Sequence, residues 1–338
     1  MTHYARRLQQ IGSSILISLP SEWIKSNKLK KGSTIPIEVN RDNTISIFPS
    51  QEDADDKTKE VTIPYSPASM DTLVNQVYGA YLLGYDLIRI KGGLQISFED
   101  ADRIKKAMRK LVGLEIIDED GLNITAQFLL DANTLDAEKI LRRMSSIVAG
   151  MYRDVLESIK SGESSIRRVI SGRDDEVDRQ YFLLVRLIRS AMMDQKLAGK
   201  LNLSNIDILD YRIAANHLES AGDSIVDLAS SIQELSGAKF AGEIIEASTL
   251  VEKMQEKSVA AFVNKNRSES NSVVKLYESF VKLLNSAKDR ATRGEPSNSQ
   301  STVAVFNLAY SMDKIARYWV DVADLVKPVH LTAPFKNA

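Results

Sequence analysis

Residues 217–229 read HLESAGDSIVDLA, and residues 311–323 read SMDKIARYWVDVA. At an offset of 94, Leu218, Val226 and Ala229 lie over Met312, Val320 and Ala323, while Glu219, Asp223 and Asp227 lie over Asp313, Arg317 and Asp321. The apolar positions recur at helical spacing in both stretches, so one helical unit occurs twice. Outward from this pair, everything from Asp136 onward reads as helix: 136–161, 163–194, 207–236, 241–264, 268–290 and 302–326. The breaks are SGES, QKLAGKLNLS, LSGA, KNRSES and RGEPSNSQS. Long helices joined by short connections form an antiparallel bundle. The expected bundle spans 136–330, as repeats 136–236 and 241–328 of three helices each.

The polar positions of the pair differ. Acids four apart on a helix repel each other by roughly a few tenths of a kcal/mol per pair. No Lys or Arg lies between Asn216 and Ala229 to relieve Glu219, Asp223 and Asp227. In the second copy Arg317 sits four residues from each acid, which is the favourable arrangement. One helix earlier, SGRDDEVDRQYF places Asp174 and Asp178 four apart as well. If the two helices face each other, four or five carboxylates gather, a natural cradle for a hard or borderline divalent ion such as Mg²⁺, Mn²⁺ or Fe²⁺. The corresponding stretch of the second unit, 264–274, offers only Glu269. A solvated acidic face opposite Leu218, Ala221, Ile225 and Leu228 explains the column equally well from wheel geometry alone.

Residues 1–50 read as β-rich. GSSILISLP alternates as a strand, Pro20 suits the first position of a short helix in PSEWIKSN, and LKKGS is a turn with Gly32 free to take positive φ. TIPIEV and TISIF are strands joined by NRDN. Seven Lys and Arg stand against three acids here, a local balance of +4 in a chain of net −1. That asymmetry suggests an anionic partner. So small a unit buries too little surface by itself, and pairing with a second copy would supply the missing core. Residues 50–60 are a charged linker. Residues 61–133 read β-α-β-α-β, with Ser97 as an N-cap, Gly113 as a C′ residue and a DG turn before the last strand. They form a small sheet with helices on one face, a spacer between the other two pieces.

Several function classes are excluded or weakened. With 338 residues, 43% hydrophobic and 26% charged, the composition is that of an ordinary globular chain. No cysteine is present, so there is no disulfide, thiolate metal site or cysteine nucleophile. Residues 1–20 lack a signal-peptide core, and runs such as YFLLV are far below the ~18 residues that span a bilayer. The expected location is cytoplasmic, without membrane insertion. The histidines are His3, His217 and His330, and the residue three before His217 is Ala214, so the Glu-x-x-His motif of di-iron bundles is missing. There is no GxGxxG, P-loop or nucleophile elbow. No catalytic or organic-cofactor residues are expected.

HLESAGDSIVDLA, with Asp174 and Asp178 one helix earlier, resembles the E(D)xxxD motif of the phosphate-uptake regulator (PhoU) family, and the duplicated three-helix layout is similar to it across 136–330. RRLQQIGSSILISLPSEWIKSNKLKKGSTIPIEV resembles the AbrB/MazE-type swapped-hairpin DNA-binding domain. The combination is similar to archaeal PhoU-like regulators. The resemblance implies a multi-domain α+β protein: a swapped-hairpin domain at 1–50, a βαβαβ middle domain at 61–133, and an all-α bundle of two PhoU repeats. It implies metal binding, with Fe, Mn, Zn or Mg, on Asp174, Asp178, Glu219, Asp223 and Asp227. Because Arg317 stands where a ligand belongs, one metal site is expected and not two. It further implies a homodimer that contacts DNA from a basic face, with Arg6, Arg7, Lys28, Lys30 and Lys31 as candidates. The expected role is a transcriptional regulator of phosphate homeostasis that senses metal, phosphate or a partner. The alternative is a scaffold that does not bind DNA and modulates the phosphate ABC transporter.

Overall fold

The computed structural model describes residues 4–39, 44–49, 58–161, 166–230, 242–293 and 299–326. The NRDN turn, most of the 50–60 linker, most of the SGES and RGEPSNSQS breaks, the LSGA break, His3, His330 and the far ends of both expected repeats lie outside the described residues. The chain forms two compact units, Met1–Thr58 and Lys59–Ala338.

In the first unit, β1 (Gln9–Ile11) and β2 (Ser14–Leu16) make an antiparallel hairpin turned at Gly12, whose φ is +62°. α1 (Ser21–Ser26) follows Pro20, which is the N-cap (φ −62°, ψ 131°) and not the first helical residue. Gly32 takes φ +93°, as the LKKGS turn requires. β3 (Ile37–Val39) and β4 (Ile45–Ile47) form a second antiparallel pair. Three-residue strands enclose little: no residue from 4 to 49 with a described exposure is buried, and Leu8, Ile15 and Val39 are about 70% exposed (71%, 69% and 75%).

The second unit begins with a four-stranded sheet of β5 (Glu60–Tyr65), β6 (Leu87–Gly92), β7 (Leu114–Glu119) and β8 (Asn123–Phe128), in the order β5-β6-β8-β7. β5 and β6 are parallel, which requires a crossover, and α2 (Met70–Leu82) provides it. The remaining pairs are antiparallel. Ile63, Ile88, Ile90, Ile124 and Ala126 share the buried face. The Ser97 hydroxyl accepts from the Asp100 N–H at 3.1 Å and so caps α3 (Phe98–Arg109), as its position predicts. Gly113 differs from expectation. α3 ends at Arg109 with Lys110 as its C-cap, and Gly113 (φ +79°) lies further on, in the turn into β7. A side chain at 113 would collide with Leu130 and Phe128.

The bundle follows as α4 (Ala137–Ser161), α5 (Ile166–Met193), α6 (Gln195–Lys200), α7 (Asn205–Ser230), α8 (Gly242–Val263), α9 (Arg267–Arg293) and α10 (Ser299–Asp324). α4, α5 and α7 pack on one another, as do α8, α9 and α10. α7 also packs on α10, so the two copies of the repeated helix meet at the centre. The alignment holds in the core: Leu218 and Met312 are both fully buried, as are Ala229 and Ala323 to within a few per cent (4% and 0% exposed). α6 stands within the expected break QKLAGKLNLS. The Asp194 carboxylate accepts from the N–H groups of Lys196 and Leu197 and so starts the short helix, which buries Leu197 and Ala198.

Arg186 of α5 fastens the sheet to the bundle. Arg186 is 4% exposed, donates to the carbonyls of Tyr81 and Tyr85 at 2.8 Å each and to Asp86 Oδ1 at 2.9 Å, and lies 3.8 Å over the Phe128 ring. A buried guanidinium is tolerated only when its donors are satisfied in this way.

Candidate functional site

α5 and α7 reverse direction around α6, and Asp174 and Asp178 of α5 come to face Glu219 and Asp223 of α7. Gly222 permits the approach. A Cβ there would stand 3.1 Å from Asp174 Oδ1 and 3.7 Å from Val177. A glycine inside a helix costs about 1 kcal/mol relative to alanine, so its place in the acid motif calls for a packing reason, and this contact supplies one.

The electrostatics follow from that approach. Burial raises the Asp174 carboxyl to about 7, with Asp178, Asp223, Asp175 and Glu219 adding repulsion. Asp178 is raised by burial and Asp223, against a lowering pull from Lys110. Glu219 is raised by burial, Asp223 and Asp178, opposed by a hydrogen bond from Ser220 and by Arg212. Asp223 is raised by desolvation and Asp227, opposed by Lys314. Among the described residues, no ion pair or hydrogen bond holds Asp174, Asp178 or Asp223.

Asp227 stands apart. Its side chain is 78% exposed and lies 3.9 Å from Lys314 of α10. Relief that the α7 sequence lacks thus reaches this acid from the other repeat. The isolated helical wheel misled in a second way: it set Glu219 opposite the core, whereas α5 covers that flank and leaves Glu219 half-buried.

The second column is closed by its own neighbours. Arg317 Nε donates to Asp313 Oδ2 at 2.9 Å, and the Tyr277 hydroxyl donates to Asp313 Oδ1 at 2.8 Å. His217 lies between the repeats, with its ring 6.0 Å from that of Tyr318 and Nδ1 4.0 Å from Asp321.

Among the described residues, no three His, Asp or Glu side chains converge closely enough to ligate one ion. The donor chemistry nevertheless fits a divalent cation: carboxylates that repel one another, unheld by any cation, beside a glycine that leaves room. Glu219 and Asp223 sit near solvent and can re-aim by rotamer change.

Of the DNA candidates, Arg6, Arg7, Lys28, Lys30 and Lys31 are all exposed. Arg6 lies 5.5 Å over the Tyr4 ring, and the Tyr4 hydroxyl donates to Glu22 at 2.8 Å. Lys28 occupies a left-handed backbone position, φ +56°, just past α1. The sequence reading missed Gly222, for which the helix glycine was the available signal. It also missed Lys110, which comes from another part of the chain and left none.

Comparisons with known proteins agree with this layout. The family model "PhoU domain" matches residues 141–232 and 244–326, one match per repeat. The model "Antidote-toxin recognition MazE, bacterial antitoxin" matches 8–55. A "Phosphate-specific transport system accessory protein PhoU homolog" of Clostridium acetobutylicum is 30% identical over 152 residues, 44% of this chain and 67% of the relative. The crystal structure of PhoU from Pseudomonas aeruginosa superposes with a TM-score of 0.51 at 16% identity, covering 58% of this chain and 95% of that one. At that identity the likeness concerns the fold. No described helix is long and apolar enough to cross a membrane.

Proposed function

The chain belongs to the PhoU domain family, and from that premise we propose that it is a phosphate-responsive regulator whose bundle binds a divalent or transition metal and whose N-terminal module carries the response to DNA. One observation carries the reading: two PhoU repeats lie behind a MazE-type module in one chain. The coarser role, regulation of or accessory function in phosphate transport, follows from the family and from the Clostridium relative.

Asp174, Asp178, Glu219 and Asp223 would hold the cation, with Asp227 at the edge beside Lys314. A bound cation supplies the countercharge that these acids lack. No catalytic step is assigned to it. The N-terminal hairpins would act as a dimer, because among the described residues of their unit nothing covers the exposed Leu8, Ile15, Val39 and Ile45. Arg6, Arg7, Lys28, Lys30 and Lys31 would then neutralise DNA phosphates, which positions a protein without reading sequence.

Duplex binding measured against salt tests this. Affinity should fall steeply as salt rises, and Arg6→Ala with Arg7→Ala should weaken binding and flatten the slope. An unchanged slope refutes the assignment of those residues. Absence of duplex binding would favour a second reading, for which the antitoxin family provides the motive: the module grips a protein, and the chain acts as a scaffold on the phosphate transporter.

A further inference from the structure

We propose that Lys110, supplied by the sheet piece, sets the affinity of the carboxylate cluster for its cation by acting as a tethered competitor. The inference rests on the cation reading given above and extends it to a residue outside the bundle.

Lys110 is the C-cap of α3, and its Nζ lies 2.9 Å from Asp175 Oδ1 on α5. Asp175 adjoins Asp174 and is three residues from Asp178. The position of Lys110 is fixed by more than its own ion pair. Arg179, one residue past Asp178, donates from Nη1 to the carbonyl of Arg109 at 3.0 Å, which ties the end of α3 to α5. Further along α5, Phe182 meets Tyr78 of α2 edge-on at 5.2 Å, and Arg186 completes the attachment. The ammonium is therefore held beside the acids by three contacts that do not involve it. Asp178 lies one helical turn along α5 from the Asp175 that Lys110 grips, so the ammonium stands at the edge of the acid cluster. Half of the Lys110 side chain remains exposed (53%), so it is free to move within a short radius.

A cation entering beside Asp178 meets this like charge. Removing the charge should tighten cation binding, whereas removing an ordinary structural contact should weaken it. The sign separates the two roles. Coupling between sites is reciprocal, so an occupied cluster also weakens the hold of Lys110 on α5. In that way the state of the bundle reaches α3 and the sheet.

The test is Mn²⁺ titration of the full chain by calorimetry, for wild type, Lys110→Gln, Lys110→Arg and Asp175→Asn. Lys110→Gln should bind Mn²⁺ roughly 3- to 10-fold more tightly at low salt, and the gain should shrink as salt screens a half-exposed charge. Lys110→Arg should stay within about twofold of wild type because it keeps the charge. Asp175→Asn, which removes a negative charge and frees Lys110 toward Asp178, should bind more weakly. Wild type that binds Mn²⁺ beside a Lys110→Gln that binds no more tightly overturns the inference and leaves the cation reading intact. Wild type that binds none of Mn²⁺, Mg²⁺, Fe²⁺ or Zn²⁺ overturns both.

Discussion

Columns 219–223–227 and 313–317–321 occupy matching helices, α7 and α10, that pack on each other, yet their charges are treated in opposite ways. On α10, Arg317 and Tyr277 each bind an oxygen of Asp313. On α7, Glu219 and Asp223 are turned toward two further acids of α5 and are pushed toward the protonated form. The cores beneath agree residue by residue. A shared core therefore constrains the two surfaces very little. The same scaffold holds the remedy, an arginine one helix turn from each acid, and in the first repeat that remedy is absent.

That contrast can be broken most severely by Glu219→Ala combined with Asp223→Ala. Elemental analysis of purified protein should show near-stoichiometric metal in wild type and almost none in the double variant, with unchanged helical circular dichroism. Equal metal content in both would remove the distinction between the repeats. Next in size is Arg317→Asp, which makes the second column resemble the first. It should cost about 1–2 kcal/mol in thermal or urea unfolding, from the lost Asp313 contact plus new repulsion along α10. A neutral result would mean that the arginine relieves nothing.

A pH series sharpens the comparison further. The folded-state value of Asp174, about 7, lies above its ordinary value. The group therefore contributes stability that is complete below about pH 4 and is lost as pH rises through about 7. Metal-free protein should thus gain stability between pH 8 and pH 5, and Asp174→Asn should flatten that rise and add about 1–2 kcal/mol at pH 7.5, the size left after solvent screening. Thermal melts across this range check it, and a slope unaffected by the substitution would contradict it. The smallest effect is expected from Gly222→Ala. The new methyl, 3.1 Å from Asp174 Oδ1, must displace the carboxylate by a few tenths of an ångström. Helix propensity gains what packing loses, so stability should change by less than about 1 kcal/mol while Mn²⁺ affinity falls about threefold.

The bundle could be read from the sequence because its signal is repeated. An apolar stripe at helical spacing that recurs 94 residues later is hard to produce by chance, and the residues of that stripe are the ones the core encloses. Long helices also leave little room for error in their ends. Local chemistry was legible where a single residue type decides it, as with Ser97 capping α3 or Gly32 turning the chain. What escaped was whatever depends on a distant partner. Lys314 reaches Asp227 across the repeat interface. Lys110 meets Asp175 from 65 positions away. No spacing within one segment encodes such contacts, and for the carboxylate site they decide which acids are relieved and which remain repelled.

The buried Arg186 has a practical consequence for anyone who would recombine this protein. Cutting the chain between the sheet and the bundle would leave α5 with a guanidinium stripped of two carbonyls, a carboxylate and an aromatic face at once. The bundle taken alone would carry an orphaned charge in an apolar patch, while the sheet would lose its lid. The seam suited to transplantation is at residues 58–59. There a different N-terminal module could be spliced onto the sheet and bundle as one inseparable cassette.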